Sequence, residues 1–81
     1  MTLTKLENKL SKRETEIAAL VAKGLTNKEI AFNLSISQRR VGEIVSNIKQ
    51  KWSIESRVEI GIISYHLRLI DFSYFQLEKV D

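Results

Sequence analysis

"SQRRVGEIVSNIKQKW", residues 37–52, is the stretch that decides the fold. Val41, Ile44, Val45, Ile48 and Trp52 recur at the i, i+3, i+4, i+7 spacing of an amphipathic helix. At about 100° per residue these five share a sector of roughly 100°. Arg39, Glu43, Ser46 and Gln50 fall on the opposite side, flanked by Arg40 and Asn47, with Gly42 on the other edge. Ser37 suits the cap, since its hydroxyl can accept a free N–H of the first turn. The pattern predicts a helix over about 38–52 with one buried and one polar side. Two residues cut against that design: Gly42 weakens a helix, and Glu43 puts a negative charge on a face otherwise carrying Arg, Asn, Gln and Lys.

Working outward, the same capping chemistry marks three more helices. Ser11 and Glu14 form a capping box, in which each side chain bonds the other residue's backbone N–H. Ile17, Leu20 and Val21 follow at helical spacing, and Gly24 supplies a left-handed stop, so a helix is expected over about 12–23. Thr26 and Glu29 repeat the box, and Ile30, Ala31 and Leu34 give a short inner face over about 27–34. A tight turn at "SIS" (35–37) joins this helix to the next. The fourth helix starts near Ser56 and carries two apolar stripes. Val58, Ile62, Tyr65 and Leu69 form one. Ile60, Ile63, Leu67 and Ile70 form the other, on nearly the opposite side.

A helix apolar on two sides is buried on two sides. A domain this small can cover one of them, so the other wants a partner chain. The second stripe continues through Tyr74 and Leu77 at alternating steps of three and four, a coiled-coil spacing. Ile60, Ile63, Leu67, Ile70 and Tyr74 are therefore the expected dimer seam on an extended C-terminal helix. The alternative is a core helix with its tail folded back. Near the N-terminus Leu3, Leu6 and Leu10 share one face of a short helical segment, which can pack on the fourth helix or on the tail. The organisation expected is an N-terminal extension (1–10), one all-α four-helix domain (10–70) and a tail (71–81) that continues the fourth helix.

Composition narrows the class. The 81 residues suit one domain and are 43% hydrophobic and 28% charged, an ordinary globular balance. A domain of this size hides only about 60% of its chain surface on folding, so added burial against a partner helps it. Cysteine is absent, which excludes disulfides and thiolate metal sites. His66 is the single histidine, so neither a histidine metal cluster nor a Ser–His–Asp site is indicated. No metal, cofactor or enzymatic activity is expected. No apolar run approaches the roughly 20 residues that span a bilayer, and the N-terminus does not read as a signal peptide. A cytoplasmic protein is expected. Charge is uneven: residues 1–52 carry ten Lys/Arg against five Glu, and residues 53–81 three Lys/Arg against five Asp/Glu. A basic front points to a polyanion.

The second and third helices with their short turn form a helix-turn-helix pattern. Its physics suits double-stranded DNA, because the major groove admits one helix while the first helix of the pair crosses the backbone. Helix N-termini present N–H groups and a positive dipole end to phosphate. Thr26, Asn27 and Lys28 stand at one such end, and Ser37, Gln38, Arg39 and Arg40 at the other.

The chain from Leu10 to Ile60 resembles the LuxR-type, or GerE, helix-turn-helix domain. Leu10, Ser11, Arg13, Glu14 and Glu16 fit the family's opening, "GLTNKEIA" (24–31) is close to its usual form, and Leu34, Ser37, Val41, Asn47, Ile48 and Lys51 follow at its spacing. "SIESRVE" (53–59) resembles the approach to its fourth helix. The resemblance implies a transcription regulator that binds DNA as a homodimer, with the third helix in the major groove and the fourth at the dimer contact. When bound it would sit on the nucleoid. Base or groove contacts then fall to Gln38, Arg39, Arg40, Glu43, Ser46, Asn47 and Gln50. Phosphate contacts fall to Thr26, Asn27, Lys28, Ser37, Lys49 and Lys51.

The sequence departs from the family at the reading helix. A lysine usual in the family is replaced by Gly42, a nearby histidine by Ile44, and Glu43 stands between them. Arg39 and Arg40 restore positive charge one turn earlier, and Glu43 can accept from cytosine N4. Proteins of the family usually join this module to a receiver or ligand-sensing domain, and these 81 residues hold only the module. The alternative function is therefore a protein-interaction module that pairs with a larger LuxR-type regulator and modulates it.

Overall fold

The computed structural model describes residues 9–70. They form four helices and no strand: α1 (Lys12–Ala22), α2 (Asn27–Leu34), α3 (Gln38–Trp52) and α4 (Arg57–His66). Every start is set by a side-chain cap. Ser11, Thr26 and Ser56 accept from the N–H of Glu14, Glu29 and Glu59 at 3.1, 3.1 and 3.2 Å, and each glutamate returns a bond to the cap N–H. α3 has Arg40 where the box needs a glutamate, so Ser37 alone caps it, accepting from the Arg40 N–H at 3.0 Å.

The four helices also end alike. After α1, Gly24 turns left-handed (φ 95°), Gly24 N–H donates to the Val21 carbonyl and Leu25 N–H to the Leu20 carbonyl. This is a Schellman closure, with a left-handed residue followed by an apolar one. Ser35 with Ile36, Ser53 with Ile54, and Arg68 with Leu69 repeat it at the ends of α2, α3 and α4. The apolar residue after each stop, Leu25, Ile36, Ile54 or Leu69, packs against the core. Three of the four stops use Ser or Arg where glycine would be unstrained. Packing of the following side chain outweighs that cost.

The core is built from the predicted stripes of α1, α2 and α3 together with Ile60 and Ile63 of α4. α3 contributes five buried residues, Val41, Ile44, Val45, Ile48 and Trp52. α1 and α4 lie close together because small residues meet there. A Cβ on Gly61 would stand 3.7 Å from the Ala22 Cα. Ser64 is fully buried and its hydroxyl donates to the Ala18 carbonyl at 3.3 Å.

That close approach reverses the expected roles of the two stripes on α4. Ile60, Ile63 and Ile70 are buried within this one chain, and Leu67 packs beside them. The stripe left outward is the other one: Val58, Ile62 and Tyr65 keep 71, 63 and 51% of their surface. Ser64 lies beside Ile60 on the helix and Gly61 stands between the two stripes, and α1 comes in over these two small residues. A second correction concerns length. α4 ends at His66, and the turn through Arg68 (φ 62°) breaks the helical register that the seam needed. Tyr74, Leu77 and the leucines at 3 and 6 lie outside the described residues.

Candidate nucleic-acid interface

α2 and α3, joined through Ser35–Ser37, form the helix-turn-helix, and α1 packs against both. With its apolar stripe buried, α3 turns its other side to solvent. Gln38, Arg39, Arg40, Glu43, Ser46, Asn47 and Gln50 are all exposed there. All seven residues expected at the bases are thus open to solvent, six of them on the side opposite the core and Gln38 at its edge in the first turn. The Glu43 carboxylate is not isolated on it. Arg40 Nη1 donates to Glu43 Oε1 at 3.2 Å, and Arg39 Nε stands 3.9 Å from Glu43 Oε2. Such exposed i, i+3 and i, i+4 pairs contribute only about 0.3–0.5 kcal/mol each, so both arginines stay available to a stronger acceptor.

The residues expected at phosphate divide into two groups. Lys28 is exposed at the start of α2, and Lys49 is half-buried on α3. Thr26 and Ser37 use their oxygens as cap acceptors, which leaves each hydroxyl proton to donate outward. Asn27 and Lys51 have internal duties. Asn27 Oδ1 accepts from Arg57 Nη1 at 2.7 Å, while Arg57 Nη2 donates to the Leu25 carbonyl at 2.7 Å. Arg57 thereby fastens the start of α4 to the loop that launches α2. The Asn27 amide lies on the α3 side, with Nδ2 4.0 Å from where a Gly42 Cβ would stand. Lys51 Nζ donates to Glu14 Oε1 at 2.8 Å, linking the end of α3 to the start of α1. This bond, with the Ser11 N–H, holds the Glu14 carboxyl below its ordinary value although burial opposes the shift.

The sequence reading missed the Arg57 clasp and the Glu14–Lys51 link. Each joins residues more than 25 positions apart, and no local spacing announces such a pair. It also missed Phe32, which lies almost fully exposed on α2 beside an open depression lined by Leu25, Lys28 and Asn33. No group of three or more potential ligands able to hold a metal occurs among the described residues.

Comparison with known proteins agrees with this architecture. The family described as bacterial regulatory proteins, luxR family (GerE), matches residues 8–64. The chain belongs to the LuxR family. Oxygen regulatory protein NreC of Staphylococcus carnosus is 43% identical over 63 residues, covering 78% of this chain and 29% of the relative. Transcriptional regulatory protein LiaR of Bacillus subtilis is 36% identical over 62 residues, covering 76% and 29%. Uncharacterized response regulatory protein YgeK of Escherichia coli is 43% identical over 54 residues, covering 67% and 37%. The chain thus spans well under half the length of these relatives. No solved structure gave a significant match. The all-α, four-helix LuxR/GerE reading of the sequence holds, and no described helix is long and apolar enough to cross a membrane.

Proposed function

We propose that the chain is a sequence-specific DNA-binding transcriptional regulator that acts as a homodimer, with α3 in the major groove. One observation carries the reading. The face of α3 opposite the core presents two arginines, two amides and a serine together in the open, on a helix-turn-helix of a LuxR-family domain. Arginine matches guanine O6 and N7, and amide side chains match adenine N6 and N7. Lys28 and Lys49, with the Thr26 and Ser37 hydroxyls, serve the phosphates. The relative LiaR bears the name of a transcriptional regulatory protein, which supports the regulatory part. A DNA partner implies a cytoplasmic protein, on the nucleoid when bound.

The dimer is assigned to the outward stripe of α4. Val58, Ile62 and Tyr65 form a compact apolar strip, and the same strip on a second copy covers it by two-fold symmetry. Two copies would set their α3 helices on half-sites about 34 Å apart, one turn of DNA.

Selection from a pool of random duplexes tests the reading. Enrichment of one recurrent site by the wild-type chain is expected, with affinity falling steeply as salt rises. A pool that stays random counts against it. The Arg39–Glu43–Arg40 pairing also favours a second reading, since it lowers the charge of the reading face. On that reading the chain pairs with a larger LuxR-type regulator and modulates it. Recovery of such a regulator by the bait chain, with no sequence enriched from the pool, would establish this instead.

A further inference from the structure

We infer that Arg40 and Glu43 act as one unit that reads a single G·C base pair, with guanine under Arg40 and its cytosine under Glu43. This rests on the DNA-binding reading above and names the chemistry that the start of α3 selects.

The argument begins with the pair itself. Arg40 Nη1 and Glu43 Oε1 are 3.2 Å apart and about half exposed. Nη1 carries two hydrogens. One donates to Glu43, and the other remains free, as do those on Nη2. The carboxylate oxygen likewise has a second lone pair. Seen from outside, the pair therefore offers donor, donor, acceptor in order: Nη2, Nη1, Oε1. The major-groove edge of a G·C pair offers the complement in the same order. Guanine N7 and O6 accept, and cytosine N4 donates. O6 and N4 are already joined by a Watson–Crick hydrogen bond, so they stand about 3 Å apart. That spacing matches the 3.2 Å between Nη1 and Oε1. The side-chain pair and the base pair can meet edge to edge without either breaking its own bond.

The other base pairs do not fit. An A·T pair presents adenine N6–H₂ where O6 would be, so a donor meets a donor. Thymine O4 then faces the carboxylate, an acceptor against an acceptor. A reversed C·G pair puts the amine toward Arg40 and the two acceptors toward Glu43. Glu43 thus excludes two of the four base pairs; a T·A pair also satisfies Nη1 and Glu43 through O4 and N6, but it sets the thymine methyl against Nη2 where guanine offers N7, so Arg40 separates these two. Glu43 also opposes loose binding through its charge. Gly42 leaves the adjacent space clear, since a Cβ there would meet nothing nearer than 4.0 Å.

The test is selection from a random duplex pool by the wild type, Arg40→Ala and Glu43→Ala, in parallel on the full chain. Both substituted positions are exposed, and matching thermal unfolding of the three proteins shows that they fold alike. The wild type is expected to fix one G·C pair in each half-site. Both variants are expected to relax that same pair, losing discrimination there by on the order of tenfold or more. Glu43→Ala should also bind unrelated duplexes about fivefold more tightly per protomer near physiological salt, because one negative charge is gone. If the two variants relax different base pairs, or if Glu43→Ala tightens all sites equally with the site unchanged, the pairwise reading is overturned while DNA binding stands. If the wild type enriches nothing, the DNA-binding reading falls and this assignment falls with it.

Discussion

Gly42 stands inside α3, half-buried at the edge of its polar side, a position where glycine costs roughly 0.5–1 kcal/mol relative to alanine. A Cβ there would meet nothing nearer than the Asn27 amide at 4.0 Å. Gly42→Ala should therefore stabilise the fold by about that amount, read as a rise in the urea midpoint with an unchanged slope. A loss of stability would mean that α2 and α3 need the missing side chain. Glu14 makes the opposite case, a charge placed where it is needed. It is only 8% exposed and holds both the Ser11 N–H and Lys51. Its pKa is lowered in the folded chain, chiefly by the Lys51 hydrogen bond. The sign follows: its contribution is complete above the unfolded carboxyl value near 4.5 and is lost as pH falls through the lower folded value. Glu14→Gln should cost about 1–2 kcal/mol at neutral pH. The gap from wild type should close as pH falls below about 4.5 in urea unfolding. A gap independent of pH would show that the carboxylate charge is irrelevant.

At the scale of the element, α4 shows what the sequence made legible and what it hid. Its start was readable from Ser56 and Glu59, and its two stripes from spacing. Which stripe faces inward was not readable from hydrophobicity, since both are apolar. The deciding residues are small ones. Ser64 beside Ile60, and Gly61 between the stripes, let α1 approach, which leaves Val58, Ile62 and Tyr65 outward. The end of α4 was equally hidden, because an arginine rarely announces a left-handed stop. The caps of α1, α2 and α3 and the buried stripe of α3 were visible because each is a local pattern. The bonds of Asn27 and Lys51 to their long-range partners, Arg57 and Glu14, leave no trace in spacing. The outward stripe makes its own prediction. Ile62→Glu should convert dimers to monomers by sedimentation and leave the helical content intact, since Ile62 is exposed in the single chain. An unchanged mass would move the contact elsewhere.

At the scale of the whole molecule, three helices hold the long α3 by its apolar side and leave the other side open. The Schellman closures seat apolar residues on the core, the Glu14–Lys51 link ties α3 to α1, and the Arg57 clasp ties α4 to the start of α2. A rigid, outward helix with arginines and amides is what a groove reader requires. The most direct measurement is backbone amide mapping by NMR as a duplex recovered from the random pool, or failing that a mixed-sequence duplex at low salt, is titrated in. The account predicts that the largest shifts fall on residues 37–50, with a second cluster at the start of α2 around Lys28. Shifts confined to the outward side of α4, or none at all, would contradict it.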